Sequence, residues 1–135
     1  MGEKIKILSV GKVKKEVKKQ PKGSFSVQDY IEQADPGMYT FSKAYIEDTI
    51  EMVGTLRPEI IWIHQEQSMD CSDLVKEIKR IHPAAIIFMM LIGAYEDEQE
   101  IMNAYTALGA YKCYFIPPMM LDTLVHDMHV ALNLE

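Results

Sequence analysis

Apolar residues recur along the chain in two rhythms. Short apolar-rich runs read as strands: Lys4 to Val10 (KIKILSV), Met38 to Ser42, Ile60-Ile61-Trp62-Ile63, Ala85 to Ile92 and Lys112 to Ile116. Between them, apolar positions fall at helical spacing. Val27, Tyr30, Ile31 and Ala34 share one face, as do Ile46, Ile50 and Val53. The same holds for Leu74, Val75, Ile78 and Ile81, for Ile101, Met102, Tyr105 and Leu108, and for Leu121, Leu124, Val125, Met128 and Leu132. Five strands alternating with five helices across short connections predict an α/β domain, a parallel sheet wrapped by helices on both faces. Ala85 to Ile92 carries no charge, as a central strand covered on both sides requires.

Punctuation supports these boundaries. Ser26 and Asp29 form a capping-box pattern, with Phe25 and Tyr30 placed for a hydrophobic staple. Pro36-Gly37 stops the first helix, His82-Pro83 the third, and Gly109 caps the fourth. His64 to Ser68 reads as a polar loop after the third strand. In open α/β sheets chemistry sits outside the carboxyl ends of the strands, so His64 becomes the residue to question.

With 135 residues, 48% hydrophobic and 25% charged, the chain fits one domain over 1–135 with a sizeable core. It is also compatible with being a fragment of a longer multidomain protein. The longest uncharged apolar run, Ala84 to Tyr95, is too short to span a bilayer, so no membrane insertion is expected. The two cysteines, Cys71 and Cys113, make no disulfide framework, and reduced thiols in a cytoplasmic protein are expected.

A net charge of −6 argues against nucleic-acid binding by this domain alone. The charge is uneven. Lys12, Lys14, Lys15, Lys18, Lys19 and Lys22 form a basic arm opposed only by Glu16. That arm holds six of the 14 basic residues and one of the 20 acidic ones, so the rest has 8 against 19, a net of −11. The arm reads as a solvated loop, or as an electrostatic docking arm; it lacks interleaved aromatics to stack bases.

The order and spacing of several segments resemble the receiver domain of two-component response regulators. They are Pro58-Glu59-Ile60-Ile61, Met69-Asp70-Cys71 with Leu74 to Lys79, His82-Pro83, Ala94 to Glu98, and Ala104 to Ala110. The resemblance implies a flavodoxin-like sheet of order 2-1-3-4-5. It also implies an aspartate that takes a phosphoryl group at the end of the third strand, and two acidic residues after the first strand that help hold Mg²⁺. A Ser or Thr after the fourth strand and a Lys after the fifth would contact the phosphoryl oxygens.

Carried across, those positions fall on His64, on Gly11 and Lys12, on Gly93, and on Ile116 or Pro117. None has the implied side chain, so the resemblance is to a degenerate pseudo-receiver. The expectation is a non-enzymatic signalling module that acts by protein–protein contact without phosphorylation, holding no cofactor or metal. Its expected partners are a histidine kinase, an output domain or a second copy. Phosphohistidine chemistry at His64 would call for an exposed helix in a four-helix bundle, which this pattern does not give.

Tyr95, Tyr105, Tyr111, Tyr114, Met119 and Met120 lie near the fourth helix, fifth strand and fifth helix, a face that the resemblance implies for dimers or output domains. His126 and His129 stand one turn apart but lack a third metal ligand nearby. The alternative is a small-ligand sensor using the vacated pocket beside His64, Gly11 and Gly93, where glycines permit close backbone approach.

Overall fold

The computed structural model describes residues 4–11, 27–66, 70–93, 95–116 and 121–133. In order along the chain come β1 (Ile5–Val10), α1 (Val27–Ala34), β2 (Tyr39–Ala44), a 3₁₀ turn (Ile46–Asp48) leading into α2 (Thr49–Leu56), and β3 (Ile60–Glu66). Then follow α3 (Ser72–Ile81), β4 (Ile86–Ile92), α4 (Glu98–Leu108), β5 (Lys112–Ile116) and α5 (Leu121–Ala131). The five strands form one parallel sheet of order β2-β1-β3-β4-β5, which is the expected flavodoxin-like topology.

Alternation along each strand divides the core between the two faces. Leu8, Val10, Ile61, Ile63, Ile87, Met89 and Leu91 point to one side, where they meet Val53 of α2, Val75 and Ile78 of α3 and Tyr105 of α4. Ile7, Ile60, Trp62, Phe88 and Met90 point to the other, against Ile31 of α1 and Leu124 and Met128 of α5. Each such fully buried Ile, Leu or Met contributes about 1.5–3 kcal/mol over its exposed state. Because β3 and β4 are covered on both faces, their sequences are almost unbroken apolar runs.

Two boundaries differ from expectation. β3 does not end at Ile63: His64, Gln65 and Glu66 continue the strand by pairing with Met90, Leu91 and Ile92 of β4. The expected loop from His64 to Ser68 therefore starts three residues too early. β2 likewise runs on to Lys43 and Ala44, which pair with Ser9 and Val10. In both cases the neighbouring strand holds polar residues in extended geometry. The capping box at Ser26 and the basic arm lie outside the described residues.

Helix ends follow local chemistry. The Asp97 carboxylate accepts the Glu100 N–H at 3.1 Å, so α4 starts at Glu98. Gly109 ends it at φ 117, a conformation that favours glycine. Arg57 ends α2 in the left-handed region, at φ 51, and its guanidinium donates to the last carbonyl of α3, Ile81 O, at 2.7 Å.

Candidate functional site at the carboxyl edge of the sheet

β1 stops pairing with β3 at Val10, opposite Ile63. The next residue on each strand, Gly11 and His64, therefore stand side by side. The His64 imidazole is partly buried, and its Nδ1 lies 3.1 Å from Val10 O. A carbonyl can only accept, so Nδ1 carries the proton and donates, leaving Nε2 with the lone pair in the neutral ring. Burial pushes the His64 pKa down; the Val10 bond opposes that shift without overcoming it.

The space beside Gly11 is already filled. A Cβ built there would lie 3.2 Å from His64 Cβ and 3.7 Å from Nδ1. Glycine at 11 and histidine at 64 are thus sterically complementary. On the far side of β3, Gly93 follows β4 at φ 111, where a β-branched residue is strained. Ile116 ends β5 opposite Ile92, which is exposed at the end of β4. Lys12 and Pro117 lie outside the described residues, as do Met119, Met120 and the other arm lysines.

The described carboxylates near this edge have separate surroundings. Glu66 is exposed, at the end of β3. Asp70 accepts from the Ser72 N–H at 2.9 Å and the Ser72 hydroxyl at 2.6 Å, bonds that hold its carboxyl below the usual carboxylate range. Among the described residues no group of three or more His, Cys, Asp or Glu side chains could hold a metal ion. His129, weighed above beside His126, pairs instead with Asp35, Nε2 to Oδ2 at 2.8 Å.

The tyrosines of the expected interaction face have four different settings. Tyr111 is exposed and packs edge-on against Phe88. Tyr114 is partly buried, stacks on Phe88, and donates to Asp127 Oδ2 at 2.5 Å beside Lys112. Tyr95 packs edge-on against Phe115 and donates to Gln65 O at 3.3 Å. Tyr105 is buried and points into the core, away from any exposed face.

One element of the site was not anticipated. Gln65 is buried, and its Oε1 accepts both the Cys71 N–H, at 3.0 Å, and the Tyr105 hydroxyl. The Tyr105 oxygen in turn accepts from the same Cys71 N–H at 3.2 Å. The signal was present: two residues after Ile63, strand alternation puts Gln65 on the face of Ile61 and Ile63. Only the early end assigned to β3 concealed it.

No family model and no curated protein matches the sequence. Solved structures do. The signal receiver domain of a DNA-binding response regulator from Colwellia psychrerythraea 34H matches at 20% identity, over 96% of this chain and 98% of that one, with a TM-score of 0.66. The chain has the receiver fold. The receiver domain of NtrC4 from Aquifex aeolicus is similar at TM-score 0.69 and 14% identity, over 96% and 97% of the two chains. A candidate pilus assembly-related protein from Burkholderia pseudomallei K96243 shares the fold at TM-score 0.64 and 14% identity, over 94% and 88%. Within the receiver fold, the edge described above is the carboxyl edge of β1, β3 and β4, with His64 on the central strand.

Proposed function

We propose that this chain is a receiver-fold signal-transduction module that works without aspartyl phosphorylation, through contact with a protein partner or a second copy. The observation that carries this reading is the His64 imidazole. It stands at the position which the resemblance assigns to the phosphoacceptor, with its Nδ1–H engaged by Val10 O. Phosphoryl transfer to a carboxylate needs that carboxylate, a cation and positioned donors for the phosphoryl oxygens. Three further features support the same reading: a glycine at 11 whose free space His64 uses, a glycine at 93 whose backbone geometry disfavours Ser or Thr, and isoleucine at 116. The module is proposed to be non-enzymatic, with a histidine kinase, an output domain or a second copy as its partner. Switching would then come from a partner that binds one conformation better than another.

The test is incubation with an acyl phosphate and Mg²⁺, followed by intact-mass measurement and peptide mapping. No phosphoryl adduct is expected; a stoichiometric adduct at or beside His64 would sink the proposal. Spectra with beryllofluoride and Mg²⁺ address the ligand-sensing alternative. Shifts at His64 and Gly93 at stoichiometric ligand would favour it. That alternative has lost Gly11 as an approach point, since His64 takes its space.

A further inference from the structure

We infer that the Gln65–Tyr105–Cys71 cluster is a latch coupling the end of β3, where His64 sits, to the docking of α4. The inference rests on the proposal that this domain switches by partner binding, and it deepens it by naming a route between two surfaces.

Three observations carry it. First, His64, Gln65 and Glu66 have β4 on one side only, because β1 stops at Val10. This end of β3 is therefore freer to shift than Ile60 to Ile63, which are held on both sides. Second, α4 is lightly anchored. Tyr105 is its one buried residue, with Ile101, Met102 and Leu108 partly buried and the rest of the helix exposed. An element with few buried apolar contacts sits at the low end of local stability. Third, the anchor is polar and shared. The Tyr105 hydroxyl donates to Gln65 Oε1 and accepts from Cys71 N–H, the residue that opens α3.

The chemistry ties the three groups to one another. Cys71 N–H points at two acceptors, so it fixes the Gln65 amide with its oxygen inward. Burial raises the Tyr105 pKa, so the phenol stays a donor at neutral pH. If β3 shifts so that Gln65 Oε1 leaves, the buried Tyr105 O–H loses that acceptor while the Cys71 N–H keeps only the Tyr105 oxygen, so α4 is tied to β3 by one hydrogen bond fewer. His64 and Gln65 are adjacent on one strand and face opposite sides. A contact at His64 that moves the strand end thus reaches α4 through one peptide unit.

The experiment is hydrogen exchange and NMR on the whole chain with Tyr105→Phe, which removes a hydroxyl and keeps the ring. Amides of α4 should exchange about fivefold faster, equivalent to about 1 kcal/mol for one net hydrogen bond. The His64 ring and Gly11 amide signals should shift, while those of α1 and α5 stay in place. The reverse variant, His64→Asn, should shift α4 amides, because coupling between two sites is reciprocal. A merely structural bond would loosen α4 and leave His64 unmoved; that result, or an α4 indifferent to both variants, overturns the latch. Gln65→Met supplies a second break in the cluster; Tyr105→Phe decides if it does not fold. No phosphoryl donor is present, so a phosphoryl adduct in the earlier assay would remove the proposed function without touching this result, and the reverse also holds.

Discussion

The state of His64 gives a prediction with a defined sign. The ring is neutral in the folded chain because burial lowers its pKa below the ordinary 6.5, against the pull of Val10 O. Unfolding returns it to water. Below pH 6.5 the unfolded chain then binds a proton that the folded chain resists, so stability from this group is present above that pH and is lost as pH falls toward the folded pKa. For one proton the slope cannot exceed about 1.4 kcal/mol per pH unit, so the loss between pH 6.5 and about pH 5 is at most about 2 kcal/mol. His64→Asn removes the titration while leaving an amide N–H that can still reach Val10 O. Urea unfolding of both proteins across this range isolates the term, since the other histidines contribute equally to each. At pH 7.5 the variant should be less stable by about 1 kcal/mol, for the lost ring contacts. The gap should narrow on acidification as the wild type falls more steeply. Parallel pH profiles would refute the reasoning, as would a His64 ring proton that titrates at 6.5 or above.

Two other substitutions probe how the frame is held. Gly109→Ala puts a Cβ 2.9 Å from Lys79 Cγ at a backbone φ of 117, and Lys79 cannot swing away without losing Pro83 O and Ala85 O, so urea unfolding should show a loss of about 1–3 kcal/mol. Asp127→Asn weakens the acceptor shared by Lys112 and Tyr114, and half exposure of the lysine limits the cost to about 1 kcal/mol, read as a lower urea midpoint with an unchanged slope.

The parts of this molecule that sequence made visible are those set by burial and local chemistry. Ile60 to Ile63 and Ile86 to Ile92 announce themselves because both faces of the central strands are covered, and Gly109 because its backbone angle favours glycine. What stayed hidden depends on neighbours in space. His64, Gln65 and Glu66 are polar, and only their register with Met90, Leu91 and Ile92 makes them strand. Tyr105 looked like one of four tyrosines on an outer face. Helical spacing with Ile101, Met102 and Leu108 also put it on an inward face, as found; what no periodicity reveals is that its hydroxyl meets Gln65 and Cys71 there. The receiver resemblance named Gly11 and His64 together, and the structure puts them side by side, but the resemblance carries nothing of how closely the two pack.

That close packing bears on how such a site changes. A side chain at 11 would meet His64 Cβ at 3.2 Å, so a carboxylate at 11 would require His64 to give way by a few tenths of an ångström. Placing an aspartate at 64 alone fares no better. Its carboxylate would stand near Val10 O, an acceptor facing an acceptor, with burial opposing its charge. A carboxylate placed at either position alone is therefore opposed by its neighbour. The positive φ at Gly93, which glycine adopts freely, adds a third position that would have to alter its backbone before it could hold Ser or Thr without strain. Histidine at 64 is best understood as half of a packed pair with Gly11, so that a change at one position calls for a change at the other.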